Sequence, residues 1–193
     1  RAAILALGGA FHDLGSEDAP AFQPLATIDS ASARSRAQDW LLGILAQEGV
    51  PIDPSIRDAL WLALTNLAEA PARERTLTGL TLLLQRSDLR AALKPFTVDG
   101  AHGSLFDAEE DTLDFAETHG FEMEALMRRE AAVAPALGYI FDRLDARFDG
   151  RPTLLVIDEA WVFLDHPLFA ARLRDWLKTL RKKNVSVVFA TQS

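Results

Sequence analysis

Two short apolar runs near the C-terminus constrain the fold of this chain more than any other feature. Thr153–Ile157 and Val185–Ala190 have strand length and are apolar at successive positions from Leu154 and from Val187, so both faces of each strand call for cover. That pattern belongs to parallel strands buried between helices, not to a half-solvated hairpin. Between them, Pro167–Lys183 has helical spacing, with Phe169, Leu173, Trp176, Leu177 and Leu180 on one stripe and Asp165 or His166 near its start. Strand, helix, strand in that order predicts a parallel α/β unit, limited upstream by Gly150-Arg151-Pro152.

Upstream the signal changes. Ala2–Leu7, closed by Gly8-Gly9, reads as a buried strand entering a turn, and His12–Ser32, rich in Gly, Pro, Ser and Asp, reads as loop. From there to Phe148 helical spacing dominates. Arg36–Gln47 carries an apolar face of Trp40, Leu41, Ile44 and Leu45. Pro54–Ala70 opens with Asp53 as N-cap and Pro54 at the first helical position, and buries Ile56, Leu60, Leu64 and Leu67. Thr76–Gln85 and Asp88–Leu93 read as short helices behind capping residues. Pro95–Asp111 is broken by Pro and Gly, with Leu105-Phe106-Asp107 as a short extended piece. Glu122–Arg129 and Ala131–Phe148 return to helix, the latter with Leu137, Phe141, Leu144 and Phe148 on one side.

At 193 residues, 49% hydrophobic and 25% charged, the chain has the balance of a folded domain with a substantial core. Cysteine is absent, which excludes disulfides and cysteine-based zinc sites. No run of 18 apolar residues exists, so no transmembrane helix is expected. The first residue is Arg1, not Met, and reads as a boundary inside a longer protein. Net charge is −8, but residues 151–193 carry seven Arg and Lys against four Asp and Glu, leaving the acidic excess on residues 1–150. That imbalance argues against broad nucleic-acid coating.

The residues with most chemical content sit where the two apolar runs end. In open α/β sheets ligands bind outside the C-terminal ends of the strands. Asp158 and Glu159 follow the first run directly. Nucleotide hydrolysis uses such a pair, the first carboxylate holding Mg²⁺ through a water and the second orienting or deprotonating the attacking water. Thr191-Gln192 ends the second run, and Gln192 can sense a γ-phosphate or place that water. Either polar end is alternatively the start of a surface loop. Arg181, Lys182 and Lys183 precede the second run. An arginine supplied across a subunit interface can neutralise charge developing on a transferred phosphoryl group, which makes Arg181 the candidate. The alternative is that all three cations complement the helix C-terminus.

Other groups offer less. His12, His102, His119 and His166 show no metal-ligand spacing, no nucleophile elbow is present, and Glu109-Glu110-Asp111 sits in a polar loop. The phosphate-cradling G-x-x-x-x-G-K-[ST] sequence is absent: the lysines are Lys94, Lys178, Lys182 and Lys183, and none follows glycine. Either that loop lies upstream of Arg1 or the chain is no NTPase.

Three stretches together carry a resemblance: Leu154-Leu-Val-Ile-Asp-Glu-Ala-Trp-Val-Phe-Leu164, Leu177-Lys-Thr-Leu-Arg-Lys-Lys-Asn184 and Phe189-Ala-Thr-Gln-Ser193. They resemble the TrbE/CagE/VirB-type ATPases of conjugation and type IV secretion. Gly8-Gly9-Ala10-Phe11, Phe22-Gln23-Pro24-Leu25, Asp99-Gly100 and Phe121-Glu-Met-Glu-Ala-Leu126 fit the same family, closest to its TrbE branch. The resemblance implies an α/β, RecA-like P-loop NTPase fragment with a large, mostly α-helical insertion. Residues 1–29 would belong to the RecA-like core, 30–148 to the insertion, and 149–193 to the core again, with Walker B strand, helix and sensor strand. It implies ATP and Mg²⁺ as cofactors, with Asp158 and Glu159 as the Walker B pair, Asp158 on the metal, Gln192 as sensor and Arg181 acting in trans. The phosphate loop is expected N-terminal to Arg1, which leaves this segment inactive alone. Family resemblance further implies a hexameric or dimeric assembly, other secretion components as partners, and a cytoplasmic place at the inner membrane. Two alternatives stand beside it, a DNA-pumping relative from the same superfamily and a non-catalytic helical interaction module.

Overall fold

The computed structural model describes residues 1–16, 19–158 and 167–190, the side chains of 167–172 and 175 excepted. The chain divides into two compact units, residues 1–136 and 137–193.

In the first unit, α1 (Ala2–Ala6) leads into β1 (Ala10–Asp13), which pairs in parallel with β2 (His119–Glu122), Ala10 opposite His119 and Asp13 opposite Glu122. The opening apolar run is thus a helix and not the buried strand expected from it. Alanine and leucine are good helix formers, and Gly8 at φ +71° ends the helix in the left-handed conformation glycine adopts readily. Leu5 and Leu7 are 51% and 72% exposed, so no core imposes an extended backbone there.

The centre of this unit is helical. α2 (Ala31–Gln47) and α3 (Pro54–Leu67) pack on each other. Ser30 and Asp53 cap them, accepting the N–H groups of Ala33 and Ile56 at 3.1 and 3.0 Å. Both expected faces are buried: Trp40, Leu41, Ile44 and Leu45 on α2, and Ile56, Leu60, Leu64 and Leu67 on α3. α4 (Leu77–Leu83) starts behind Thr76, whose hydroxyl accepts the N–H of Gly79. α5 (Ser87–Leu93) has no side-chain cap; Asp88 lies within its first turn and pairs with Arg86 at 2.6 Å. Leu105-Phe106-Asp107 is not extended: α6 (Gly103–Phe106) brings Phe106 against Phe22, Trp40 and Phe96, and that aromatic cluster outweighs the breakers around it.

The polar stretch after β1 is a loop, but a buried one. Phe22, Leu25 and Ile28 are each no more than 1% exposed. Arg75 holds it, donating to the carbonyls of Ala26, Ala68 and Ala70 and to the Asp29 carboxylate at 2.8–3.0 Å. Two of those carbonyls lie at the end of α3, where main-chain acceptors lack intrahelical donors.

Helix is confined to α7 (Glu124–Met127) in the 122–129 stretch, because Glu122 closes β2. α8 (Glu130–Asp145) contains Pro135. A proline in a helix deprives the carbonyl four residues earlier of its donor. That carbonyl belongs to Ala131, and Gln47 Nε2 donates to it at 2.8 Å. Trp40 Nε1 donates to the Pro135 carbonyl at 2.9 Å, so α2 and α8 are laced together where the helix is weakest.

In the second unit β3 (Thr153–Ile157) and β4 (Val185–Phe189) pair in parallel, Thr153 opposite Val185 and Ile157 opposite Phe189. α9 (Pro167–Leu180) connects them through a 3₁₀ turn at Arg181–Lys183. Its Leu173 and Leu180 are 1% exposed, and the Trp176 ring lies 4.4 Å from Phe141 and 5.8 Å from Phe148. The strand–helix–strand order is as expected, but the two-sided cover is not. Ile157 and Val185 are buried, whereas Leu154, Val156 and Val188 on the opposite face are 64%, 57% and 47% exposed. In a parallel pair alternate residues share a face, and the described helices of this unit cover one side of so narrow a sheet.

Candidate functional site at the ends of β3 and β4

The ladder between β3 and β4 extends one bond beyond its last residue pair: the N–H of Ala190 donates to the carbonyl of Ile157 at 3.0 Å. Asp158 and Ala190 therefore leave the sheet side by side at its C-terminal edge. Asp158 is exposed there, directly after buried Ile157. Glu159 and Gln192, the expected water-orienting carboxylate and sensor amide, lie outside the described residues, as do Asp165 and His166. The structure brings the two strand ends together and does not describe the second carboxylate or the amide.

The approach to β3 is fixed by its turn. Asp149 accepts the N–H of Arg151 at 3.1 Å and its guanidinium at 3.0 Å. The main-chain bond, with the guanidinium after it, holds the Asp149 carboxyl below the usual aspartate range. The turn before β4 is fixed as well. Asn184 adopts φ +60°, its Nδ2 donates to the Gly150 carbonyl at 3.1 Å, and its own carbonyl accepts the N–H of Thr153 at 3.1 Å.

The three cations of that turn are not equivalent. Lys183 Nζ donates to the Asp145 carboxylate at 2.7 Å and to the Asp145 carbonyl at 3.0 Å. Arg181 and Lys182 are exposed, and among the described residues no ion pair holds either one. Helix-end complementation is therefore the work of Lys183, through the C-terminus of α8. Sequence spacing carries no signal for this pair, because 38 residues separate its members.

Among the described residues no three His, Asp or Glu side chains converge as metal ligands. His12 and His119, far apart in the sequence, are brought together by the β1–β2 register, each packing on Phe121 at ring separations of 5.3 and 5.7 Å. Their nitrogens face main-chain carbonyls of Asp114 and Ala116. A cavity of about 380 Å³ beside β1 is lined by Arg1, Phe11, His12, Asp13 and Thr112, and by none of the expected site residues. No described helix is long and apolar enough to cross a membrane.

No protein-family model matches the chain. Individual proteins do. The chain is 40% identical over 195 residues to a probable conjugal transfer protein TrbE of Sinorhizobium fredii, a match spanning 98% of this chain and 29% of that protein. It is 40% identical to the conjugal transfer protein TrbE of Rhizobium radiobacter, over 97% of this chain and 23% of that protein. It is 28% identical to the type IV secretion system protein virB4 of Bartonella henselae, over 98% of this chain and 25% of that protein. The structure of VirB4 of Thermoanaerobacter pseudethanolicus superposes with a TM-score of 0.67 at 18% identity, covering 99% of this chain and 59% of that one. The chain thus spans about a quarter of the length of these curated relatives, and it shares the mixed helix-and-strand fold of that VirB4 structure. Over 98% of its length the chain is similar to one segment of proteins named TrbE, of conjugal transfer, and virB4, of type IV secretion.

Proposed function

We propose that this chain is the RecA-like Walker B and sensor segment of an ATP-hydrolysing motor that energises conjugative transfer or type IV secretion. The observation that carries the proposal is the parallel pairing of β3 and β4, with Asp158 and Ala190 emerging together from the sheet edge. An exposed carboxylate at that edge suits Mg²⁺, which keeps most of its waters and binds through one or two carboxylates plus phosphate oxygens. Asp158 holds the metal through a water, Glu159 activates the attacking water, Gln192 senses the γ-phosphate and Arg181 acts in trans.

In this reading residues 1–29 and 149–193 belong to the motor core, and residues 30–148 form its helical insertion. These 193 residues carry no G-x-x-x-x-G-K-[ST] phosphate loop, so in this reading they do not turn over ATP alone. The full-length protein works as a homo-oligomer with other secretion components at the cytoplasmic face of the inner membrane. The acidic excess on residues 1–150 disfavours a DNA-pumping role. The test is Mg²⁺-dependent ATP turnover by the full-length protein and by an Asp158→Asn variant. Turnover at much higher Mg²⁺ in the variant, or none, supports the assignment; an unchanged Mg²⁺ requirement overturns it.

A further inference from the structure

The cation triplet before β4 is divided between two tasks by a residue on another helix. We infer that Asp145 is a positioning residue for the proposed reaction: by capturing Lys183 it fixes the turn that presents Arg181. The inference rests on the assignment of Arg181 in trans made above.

Three observations converge on it. Asp145 is the last residue of α8, and Lys183 reaches both its carboxylate and its carbonyl, so the ammonium answers a side-chain charge and a helix-end carbonyl that otherwise accepts only the long 3.3 Å bond from the Phe148 N–H. Both side chains are about one-third exposed, 32% for Lys183 and 38% for Asp145, so water screens the pair less than it does an open surface bridge. The other Asp145 oxygen accepts from Trp176 Nε1 at 3.3 Å, and the Trp176 ring is packed against Phe141 and Phe148. The carboxylate is therefore held by a second contact besides Lys183.

On the far side of the turn Asn184 is bonded to Gly150. The 3₁₀ turn Arg181–Lys183 is thus clamped at its C-terminal end by two neighbouring side chains, and it follows α9 without a break at the other. Between these anchors Arg181 stands exposed. A guanidinium that must meet a phosphoryl group across an interface gains from a fixed backbone, because misplacement by about 1 Å at such a group can lower the rate about 10²-fold. Lys183 is unsuited to that role, being occupied.

The experiment compares kcat and KM for ATP in the full-length protein carrying Arg181→Ala, Asp145→Asn, Lys183→Met, the double variant Arg181→Ala with Asp145→Asn, and the exchange Asp145→Lys with Lys183→Asp. Arg181→Ala is expected to lower kcat by about 10³-fold. Asp145→Asn and Lys183→Met lower it by about tenfold or more with KM unchanged, add nothing in the Arg181→Ala background, and are rescued in part by the exchange. Asp145→Asn that multiplies with Arg181→Ala, or leaves kcat intact, overturns the inference while the Arg181 assignment stands. An Arg181→Ala protein with normal kcat removes both. Melting temperatures of all variants separate loss of fold from loss of positioning.

Discussion

Gln47 Nε2 donates at 2.8 Å to the carbonyl of Ala131, the acceptor that Pro135 leaves without a partner inside α8. One amide therefore repairs a defect in a helix 84 residues away along the chain. Losing it exposes the cost of the proline. Gln47→Leu should destabilise by about 1 kcal/mol, the net worth of an ordinary hydrogen bond, because the Ala131 carbonyl is only part-buried. Pro135→Ala restores a main-chain N–H to Ala131, so in that background Gln47→Leu should have little effect. Urea unfolding of the four proteins in the cycle measures the coupling. Additive effects would show that Gln47 does not act through the proline.

Much of the fold was legible because local chemistry and burial agree. Asp53, Pro54 and Thr76 mark helix starts, and the stripes on α2 and α3 are the buried ones. The failures have a shared cause. Ala2–Leu7 and Leu105–Asp107 are short, and over so few residues apolar content does not distinguish helix from strand; the neighbours decide, Gly8 in one case and the Phe22, Phe96 and Trp40 rings in the other. At the site, the apolar runs and their polar ends were legible as sequence. The pairing of Lys183 with Asp145 was not, since contacts between distant residues leave no periodic trace.

His102 provides a pH test. Burial, with Arg129 nearby adding to it and Glu48 opposing, lowers its pKa below the ordinary histidine value, and among the described residues its Nδ1 has no hydrogen-bond partner. The folded state therefore prefers neutral imidazole. Its stabilising effect is complete above the unfolded pKa of about 6.5 and is lost as pH falls from there through the depressed folded value. Unfolding midpoints should drop between pH 7.5 and 5, and His102→Gln should flatten that part of the profile. Equal slopes in the two proteins would contradict the assignment.

The second sheet should respond asymmetrically to substitution. Leu154 and Val156 are exposed while Ile157, the last residue of β3, is buried, so Leu154→Lys or Val156→Lys in this chain should change stability by no more than about 0.5 kcal/mol. Ile157→Ala should lose about 2 kcal/mol or more. Amide exchange in β4 reads this unit directly. A large loss from Val156→Lys would mean that the exposed face is covered.

The central claim, that the edge of β3 and β4 is a hydrolytic site, is tested most directly at Glu159. ATP turnover and ATP binding are measured side by side for the full-length protein and its Glu159→Gln variant. The account predicts a fall in kcat of about 10²–10⁴-fold, the share of a positioned general base, with ATP binding retained. Turnover that survives in the variant, or no ATP binding by either folded protein, would contradict it.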